Sequence, residues 1–298
     1  MQDIKSNYDK KVLKNLIKGD FKSYSKKEKL IQIIITVITI FILFLAFIPI
    51  IMMVVLSLKS NVQIYGNFWS LPWPLHFENY NVAVEMLIRN MLNSGIVVAV
   101  STILTVGLAS LSGYVFARLD FPGKNFLFML IIVLMMIPSV LTLTPLYKLM
   151  QDIGLTNSWL ALIFPWVSGG QVFGIMLCRT FIGEQPAELF ESARLDGATE
   201  FQAYYKIAIP LAKPILTTLA IMNMMSFYND YIWPLIVIDS NAKQVITVAI
   251  RVFESATGSI DMGSMVAGYV FATIPLLILF LCGSSFYIEG ITSGAIKS

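Results

Sequence analysis

The stretch ESARLDGAT at residues 191–199 stands between two long apolar windows and is followed by the apolar sequence IAIP at residues 207–210. Glu191, Arg194 and Asp196 make it one of the few charged segments in the C-terminal two thirds of the chain. A polar segment of helix-forming residues between apolar windows indicates a contact with a partner in the aqueous phase. The sequence around it predicts the side on which that partner lies.

Composition indicates a membrane protein. Of the 298 residues, 57% are hydrophobic and 13% are charged, and the mean hydropathy is +0.75. A soluble domain of this length has too little polar surface at such a composition. The two cysteines, Cys178 and Cys282, lie in apolar windows and are expected to be small buried hydrophobes, with a disulfide or metal pair as the alternative. The single histidine, His76, builds no metal site by itself.

The apolar windows mark predicted membrane crossings. Each is long enough for the roughly 20 residues that a helix needs to cross the hydrocarbon core. Backbone groups in lipid must also find their hydrogen bonds within a helix. The windows are 30–58, 90–117, 125–147, 153–178, 214–238 (interrupted by Asp230) and 262–288. The sequence therefore predicts an all-α integral membrane protein with six transmembrane helices.

Lysine and arginine predict the orientation. With the N-terminus inside, 16 of the 21 Lys and Arg residues fall in inside segments, nine of them in residues 1–29. The positive-inside rule then predicts that both termini and the loop at 183–210, named here the coupling loop, are cytoplasmic. The predicted organisation is a basic cytoplasmic tail at 1–29, a first transmembrane helix at 30–58, an extracytoplasmic segment at 59–89, a five-helix core at 90–288 that contains the coupling loop, and a cytoplasmic C-terminal tail at 289–298.

The coupling loop has the local signals of two short helices. Pro186 suits a first helical position, and Gly197 predicts the end of that helix because glycine adopts the left-handed conformation found there. Thr199 and Gln202 predict a capping box for a second helix, which Pro210 is expected to end. Apolar residues at a spacing of three to four predict a face toward the protein body: Ala187, Phe190, Ala193, Phe201, Tyr204 and Tyr205. Such a loop is either a connector or a docking element for a cytoplasmic partner.

The same loop carries a motif of a known family. Glu191-Ser192-Ala193, three residues, Gly197 and then Ile207-x-Ile209-Pro210 resembles the Glu-Ala-Ala, three residues, Gly, nine residues, Ile-x-Leu-Pro motif of permease subunits of bacterial ABC importers. Ser192 and Ile209 depart mildly from that motif. Further stretches resemble the carbohydrate branch, most closely the second permease subunit of maltose-type importers: YVFARL at 114–119, FPGK at 121–124, NDYIWPL at 229–235 and GITSGAIK at 290–297.

This resemblance implies a type I ABC importer permease in a bacterial cell membrane, transporting a sugar. The coupling loop would form helices that dock on ATPase subunits through Glu191, Ser192, Ala193, Asp196, Gly197 and Ala198. The C-terminal residues that would also contact the ATPases are Gly294, Ala295, Ile296 and Lys297. The implied partners are a second permease subunit, two ATPase subunits, an extracytoplasmic solute-binding protein and membrane lipid, with no nucleic acid.

The sequence contains no motif for an energy source. The phosphate loop Gly-x-x-x-x-Gly-Lys-[Ser/Thr] is absent, so ATP and Mg²⁺ are expected on a partner ATPase, and no cofactor or catalytic residue is expected in this chain. Asp230 is the one acid in the apolar windows, whereas self-powered carriers usually place several ionisable or broken-helix sites there.

Polar and small residues in the fourth and fifth windows are candidates for the translocation path. They are Gly170, Gln171, Asn223, Ser226, Asn229 and Asp230. Hydrogen bonding or close packing between helices is the alternative role for them. The alternatives for the whole chain are an ABC permease for a non-sugar solute such as glycerol phosphate, a self-powered secondary carrier, and a membrane scaffold.

Overall fold

The computed structural model describes residues 26–258 and 261–295, and side chains between residues 30 and 283. These ranges form helices and connecting turns, and they contain no β-strand. The helices are α1 (Lys26–Ser57), α2 (Asn61–Gly66), α3 (Glu78–Arg118), α4 (Lys124–Leu134), α5 (Ser139–Asp152), α6 (Leu160–Gly183), α7 (Ala187–Leu195), α8 (Glu200–Ala203), a π-helical turn (Tyr204–Ala208), α9 (Ile209–Asn229), α10 (Ile232–Val237), α11 (Ile246–Thr257) and α12 (Met262–Ala295).

From Leu30 onward, helix α1 is predominantly apolar around its circumference. Its segment Leu30–Ser57 has 28 residues and a mean hydropathy of 3.1, and large side chains such as Ile33 and Phe41 are exposed. A helix of this length and composition is able to cross the hydrocarbon core. The described residues up to Val55 form one unit, and those from Leu56 onward form another. All contacts described below lie within the second unit.

Small residues bring α3 and α6 into close contact. The contacts recur at every fourth residue of both helices, which is about one helical turn, and residue numbers increase in the same direction, so the two helices are parallel. Residues without large side chains let helix backbones approach. Gly170 and Gly174 therefore pack against α3, and no glycine interrupts α6, which is continuous from Leu160 to Gly183. The contacting pairs are Thr105 with Gly170, Ala109 with Gly174, and Gly113 with Cys178.

Because α3 and α6 are parallel, the chain between them must return to the opposite side of the membrane. Helices α4 and α5 make this return, and they are bent by 99° relative to each other. The prediction of one continuous helix over 125–147 is therefore wrong. Pro138 stands directly before α5, and a proline ends a helix because it lacks an N–H and restricts the residue before it. With this pair counted as one crossing, the candidate spans of the described residues number six.

The predicted helix end at Pro210 is also wrong. The chain passes from α8 through the π-helical turn directly into α9, and the N–H of Ile209 bonds to the carbonyl of Tyr204. Pro210 lies in the first turn of α9, where the wider π turn has already interrupted the regular pattern of hydrogen bonds and a missing N–H is tolerated. The second half of the coupling loop and α9 are therefore one segment, Glu200–Asn229.

At the end of the bundle opposite the coupling loop, buried polar side chains fix the connecting segments. Asn90 and Asn93 of α3 both donate to the carbonyl of Gln244, at 2.9 and 3.0 Å. Lys59 is fully buried and donates to two loop carbonyls and to the Ser70 hydroxyl. Buried polar groups that are paired in this way give the connections a defined shape.

Candidate coupling loop and membrane cavity

The first helix of the coupling loop, α7, ends in a Schellman motif. The N–H of Gly197 bonds to the carbonyl of Arg194 at 3.0 Å, and the N–H of Ala198 bonds to that of Ala193 at 2.9 Å. Gly197 has a φ of 83°, which a glycine adopts without strain. The predicted helix end is confirmed. Pro186 differs from the prediction because it is the N-cap of α7 and not its first residue.

The second helix, α8, begins with the predicted capping box. The Thr199 hydroxyl accepts a hydrogen bond from the N–H of Gln202 at 3.2 Å, and the Gln202 side chain accepts one from the N–H of Thr199 at 2.8 Å. These reciprocal bonds satisfy two N–H groups that a helix start leaves open. Both turns of the loop are therefore set by local sequence.

The outward face of the coupling loop is partly apolar. Phe190 and Ala203 are buried, at 2% and 1% exposure. Phe201 and Tyr205 are exposed at 68% and 65%, and Ala187 is exposed as well, so the prediction that these three face the protein body is wrong. Residues spaced by three to four positions share one face only within a regular helix. The turn before α8 and the π turn after it change the direction in which the side chains point. With Leu195 at 89% exposure, this surface resembles a protein interface in its mixture of apolar and charged groups.

The six predicted docking residues lie on or beside this face. Small side chains and backbone form one wall of a groove of about 430 Å³ between α7 and the π turn. Gln202 and Lys206 supply polar groups to the same groove. The residues Glu191, Ser192, Asp196 and Gly197 are exposed, and Ala193 and Ala198 are half-buried. Docking through these residues stays a prediction.

The last turn of α3 contacts the coupling loop on the side that faces the helix bundle. The Tyr114 hydroxyl donates to Glu200 Oε2 at 2.8 Å. Arg194 Nε donates to Glu200 Oε1 at 2.8 Å, and this hydrogen bond raises the pKa of the Arg194 guanidinium. Arg118 Nη2 donates to the carbonyl of Ile182 at 2.6 Å and to the carbonyl three residues further on. The loop is thus bonded to α3 through α8 and through the linker that precedes α7.

A cavity of about 910 Å³ lies among α5, α6, α9 and α10. Its lining contains one acid, Asp230, and no lysine, arginine or histidine among the described residues. Of the predicted path residues, Gly170, Asn223, Ser226, Asn229 and Asp230 line it. Gln171 is placed elsewhere, because its Nε2 donates to the carbonyl of Thr105 on α3 at 3.2 Å.

An aromatic pair forms one wall of this cavity. The rings of Trp166 and Phe227 are stacked, with centroids 5.3 Å apart and an interplanar angle of 4°. Trp166 Nε1 donates to Asp230 Oδ2 at 2.7 Å, and the N–H of Trp233 donates to Oδ1 at 3.4 Å. Two hydrogen-bond donors therefore hold the carboxylate in place beside an apolar ring face. Acidic side chains within a membrane are usually paired with such groups.

Neither aromatic residue was predicted as a site residue, although helical spacing was a usable signal. Trp166 precedes Gly170 by four residues, and Phe227 follows Asn223 by four, so each shares a helix face with a predicted path residue. Their mutual stacking depends on the packing of α6 against α9. The spacing of residues within either helix does not predict that packing.

The predicted ATPase-contacting residues of the C-terminal tail are only partly within the described residues. Gly294 and Ala295 lie at the end of α12, whereas Ile296 and Lys297 lie outside the described residues.

Cys178 is buried as expected, but Cys282 is exposed, and both are free. The disulfide alternative is therefore wrong. Within the described ranges, no three His, Cys, Asp or Glu side chains are grouped as metal ligands.

A protein-family model matches the part of the chain that contains the coupling loop and the cavity. The model of the family "Binding-protein-dependent transport system inner membrane component" matches residues 105–288. This range begins within α3, contains the coupling loop and the cavity, and ends within α12.

Known proteins are similar over most of the chain. The probable ABC transporter permease protein YurM of Bacillus subtilis is 33% identical over 246 residues, which are 82% of each chain. The trehalose transport system permease protein SugB of Mycobacterium tuberculosis is 33% identical over 76% of this chain and 84% of its own. The arabinooligosaccharides transport system permease protein AraQ of Bacillus subtilis is 30% identical over 76% of this chain and 80% of its own.

A solved structure shares the fold. It belongs to a bacterial ABC transporter involved in the import of the acidic polysaccharide alginate, and it superposes with a TM-score of 0.80. The match covers 89% of this chain and 99% of that chain at 21% sequence identity. At this identity the likeness shows the fold alone.

Proposed function

The chain belongs to the binding-protein-dependent transport system inner membrane component family, and from this we propose that it is one of two permease subunits of an ATP-driven carbohydrate importer. The observation that carries the proposal is the coupling loop, which is capped, bonded to α3 and exposed on its outward face. The proposed partners are a second permease subunit, two ATPase subunits and an extracytoplasmic solute-binding protein.

The outward face of the coupling loop supports docking on an ATPase. It combines exposed apolar groups with the charges of Glu191 and Asp196. At Gly197 an added Cβ would meet no atom of this chain within 4 Å, so a partner backbone has room to approach there. ATP and Mg²⁺ stay on the ATPase in this proposal, and the chain itself carries out no hydrolysis.

The cavity supports a neutral carbohydrate as the solute. The Trp166–Phe227 pair offers an apolar ring face, and Asp230, Asn223 and Asn229 offer acceptors and donors to hydroxyl groups. A phosphorylated or carboxylated solute is usually held by arginine or lysine, which the described lining lacks. The trehalose and arabinooligosaccharide names of the relatives agree with this class. A glycerol-phosphate permease is therefore the weaker candidate.

The proposed mechanism is alternating access. A binding protein delivers the sugar at the outer surface, and closure of the two ATPase subunits moves the docked loops. Because the segment Glu200–Asn229 is one unit with part of the loop, movement of the loop is passed to α9, which lines the cavity. The cavity then opens to one side of the membrane at a time.

Cross-linking tests the docking proposal. Ser192→Cys, in a chain whose two native cysteines are replaced by alanine, is expected to cross-link to an ATPase subunit in native membranes. The yield should change when ATP is added. Lys148→Cys is the control, because this exposed residue lies at the other end of the bundle and should capture no ATPase. The absence of any ATPase cross-link from Ser192→Cys, or an equal yield from the control, would contradict the proposal.

A further inference from the structure

The last turn of α3 binds the point at which α6 passes into the coupling loop. Arg118 Nη2 donates to the carbonyls of Ile182 and Gln185. The Ile182 carbonyl lies in the last turn of α6, where carbonyls lack the partner four residues further on that a continuing helix would supply, and the Gln185 carbonyl lies in the linker that follows. The Arg118 guanidinium also lies 4.3 Å from the centroid of the Phe190 ring in α7, a favourable cation–π distance. One side chain therefore contacts the end of α6, the linker and α7.

Tyr114, one helical turn earlier, contacts the second half of the loop. Its hydroxyl donates to Glu200 Oε2 at 2.8 Å, and its ring lies 5.5 Å from that of Tyr204 and 6.2 Å from that of Phe190. Tyr114 is 2% exposed and the Glu200 side chain is 42% exposed, so this hydrogen bond is shielded from water on the tyrosine side. Glu200 is held on its other oxygen by Arg194, which links the Tyr114 contact back to α7.

These contacts lie beside the two short non-helical segments of the loop. The linker between α6 and α7 and the turn before α8 are short and non-helical. A force applied to the outward face would bend these linkers if nothing else held the two helices. Coupling between distant sites requires elements that move between discrete arrangements as rigid bodies. Tyr114 and Arg118 contribute to that rigidity, since each bonds a different half of the loop to α3. They act beside the hydrogen bonds that join Ser110 to Tyr204 and Gln185 to Ala208.

We propose that Tyr114 and Arg118, named here the α3 clamp, are positioning residues that make the coupling loop and α3 move as one body. ATPase motion then enters α3 directly and reaches α6 through the small-residue contacts between these helices. This proposal rests on the docking function of the loop. Its distinguishing consequence is that loss of the clamp lowers transport per ATP hydrolysed without preventing assembly.

Tyr114→Phe tests the clamp in the reconstituted importer. The substitution removes the hydroxyl that reaches Glu200 and keeps the ring contacts. We expect unchanged ATPase assembly and ATP hydrolysis, and a fall in sugar uptake per ATP of about fivefold or more, the lower end of the usual range for coupling between two sites. Tyr147→Phe removes the same group from α5 at the opposite end of the bundle and should leave the ratio unchanged.

A double variant tests whether the effect passes through the hydrogen bond. If Tyr114 acts through Glu200, Tyr114→Phe combined with Glu200→Gln should lower the ratio no further than Glu200→Gln alone. Arg118→Lys, which keeps the charge but not the forked donors, should also lower the ratio. In both single variants, amide hydrogen exchange of residues 187–203 should be faster than in the unaltered complex.

The outcomes separate the clamp from the docking proposal. Wild-type uptake per ATP in Tyr114→Phe and Arg118→Lys, with unchanged hydrogen exchange, would overturn the clamp and leave docking intact. Loss of assembly in both variants, with no separate loss of uptake per ATP in the complexes that remain, would assign these residues a structural role only and would also overturn it. If the unaltered chain neither binds an ATPase nor transports sugar, the docking proposal itself fails.

Discussion

Gly197→Ala is expected to weaken the coupling loop through backbone strain alone. Gly197 has a φ of 83°, and a Cβ at this position would meet no atom within 4 Å, so no steric contact within the chain adds to the cost. A non-glycine residue in the left-handed region costs about 1–2 kcal/mol. That free energy corresponds to a factor of about 5–30 in the population of the folded loop.

The matched control is Gly197→Asn, because asparagine adopts the left-handed conformation more readily than alanine. The assay is hydrogen exchange of the Ala198 amide, which bonds to the carbonyl of Ala193, in the permease pair without its ATPase. We expect exchange about 5–30-fold faster in the alanine variant and nearly unchanged in the asparagine variant.

Two results would refute this reasoning. Equal and unchanged exchange in both variants would show that the Schellman motif tolerates a side chain. Equal acceleration in both would show that the cost does not come from the left-handed conformation. ATPase binding gives a separate measurement: if only the asparagine variant folds normally and yet fails to bind, a partner backbone approaches Gly197 closely.

Two further predictions concern the membrane cavity. Gly170→Ala would place a Cβ 2.8 Å from Asn223 Oδ1 and is expected to destabilise the bundle by about 1–3 kcal/mol through overpacking, which a lower thermal midpoint would show. Gly169→Ala is the control and should be neutral, because no atom lies within 4 Å of its added Cβ. Equal thermal midpoints for the two variants would contradict this packing. Asp230→Asn is expected to lower uptake of a neutral oligosaccharide several-fold with little change in assembly. The control Asp120→Asn alters only the ion pair of Asp120 with Lys124 and should leave uptake unchanged. Normal uptake in Asp230→Asn would show that Asp230 is not part of the translocation path.

Local sequence was sufficient where the deciding atoms are close in the chain. The capping box of Thr199 and Gln202 and the helix end at Gly197 were predicted correctly because each depends on residues within five positions of one another. The apolar windows likewise predicted the six crossings, since hydrophobic length decides whether a helix can span the hydrocarbon core. The family motif in the coupling loop was also legible from spacing alone.

Where elements meet, the tertiary structure decided the outcome. The bend of 99° between α4 and α5 occurs within a window of uniform hydropathy, and the π turn lets α9 continue through Pro210 where a proline normally predicts a helix end. Phe201 was expected on the buried face and is exposed, because the turns around α8 change the direction that each side chain faces.

What the sequence by itself determined about this protein is its membrane class, its predicted crossings and the shape of the coupling loop's turns, all of which follow from hydrophobicity and short-range hydrogen bonding. What only the tertiary structure decided is how that loop is held and what lines the cavity. Tyr114 and Glu200 are 86 residues apart in sequence, and Trp166 and Asp230 are 64 apart. Contacts at such separations depend on how parallel α3 and α6 pack against antiparallel α9, and no local pattern specifies that packing.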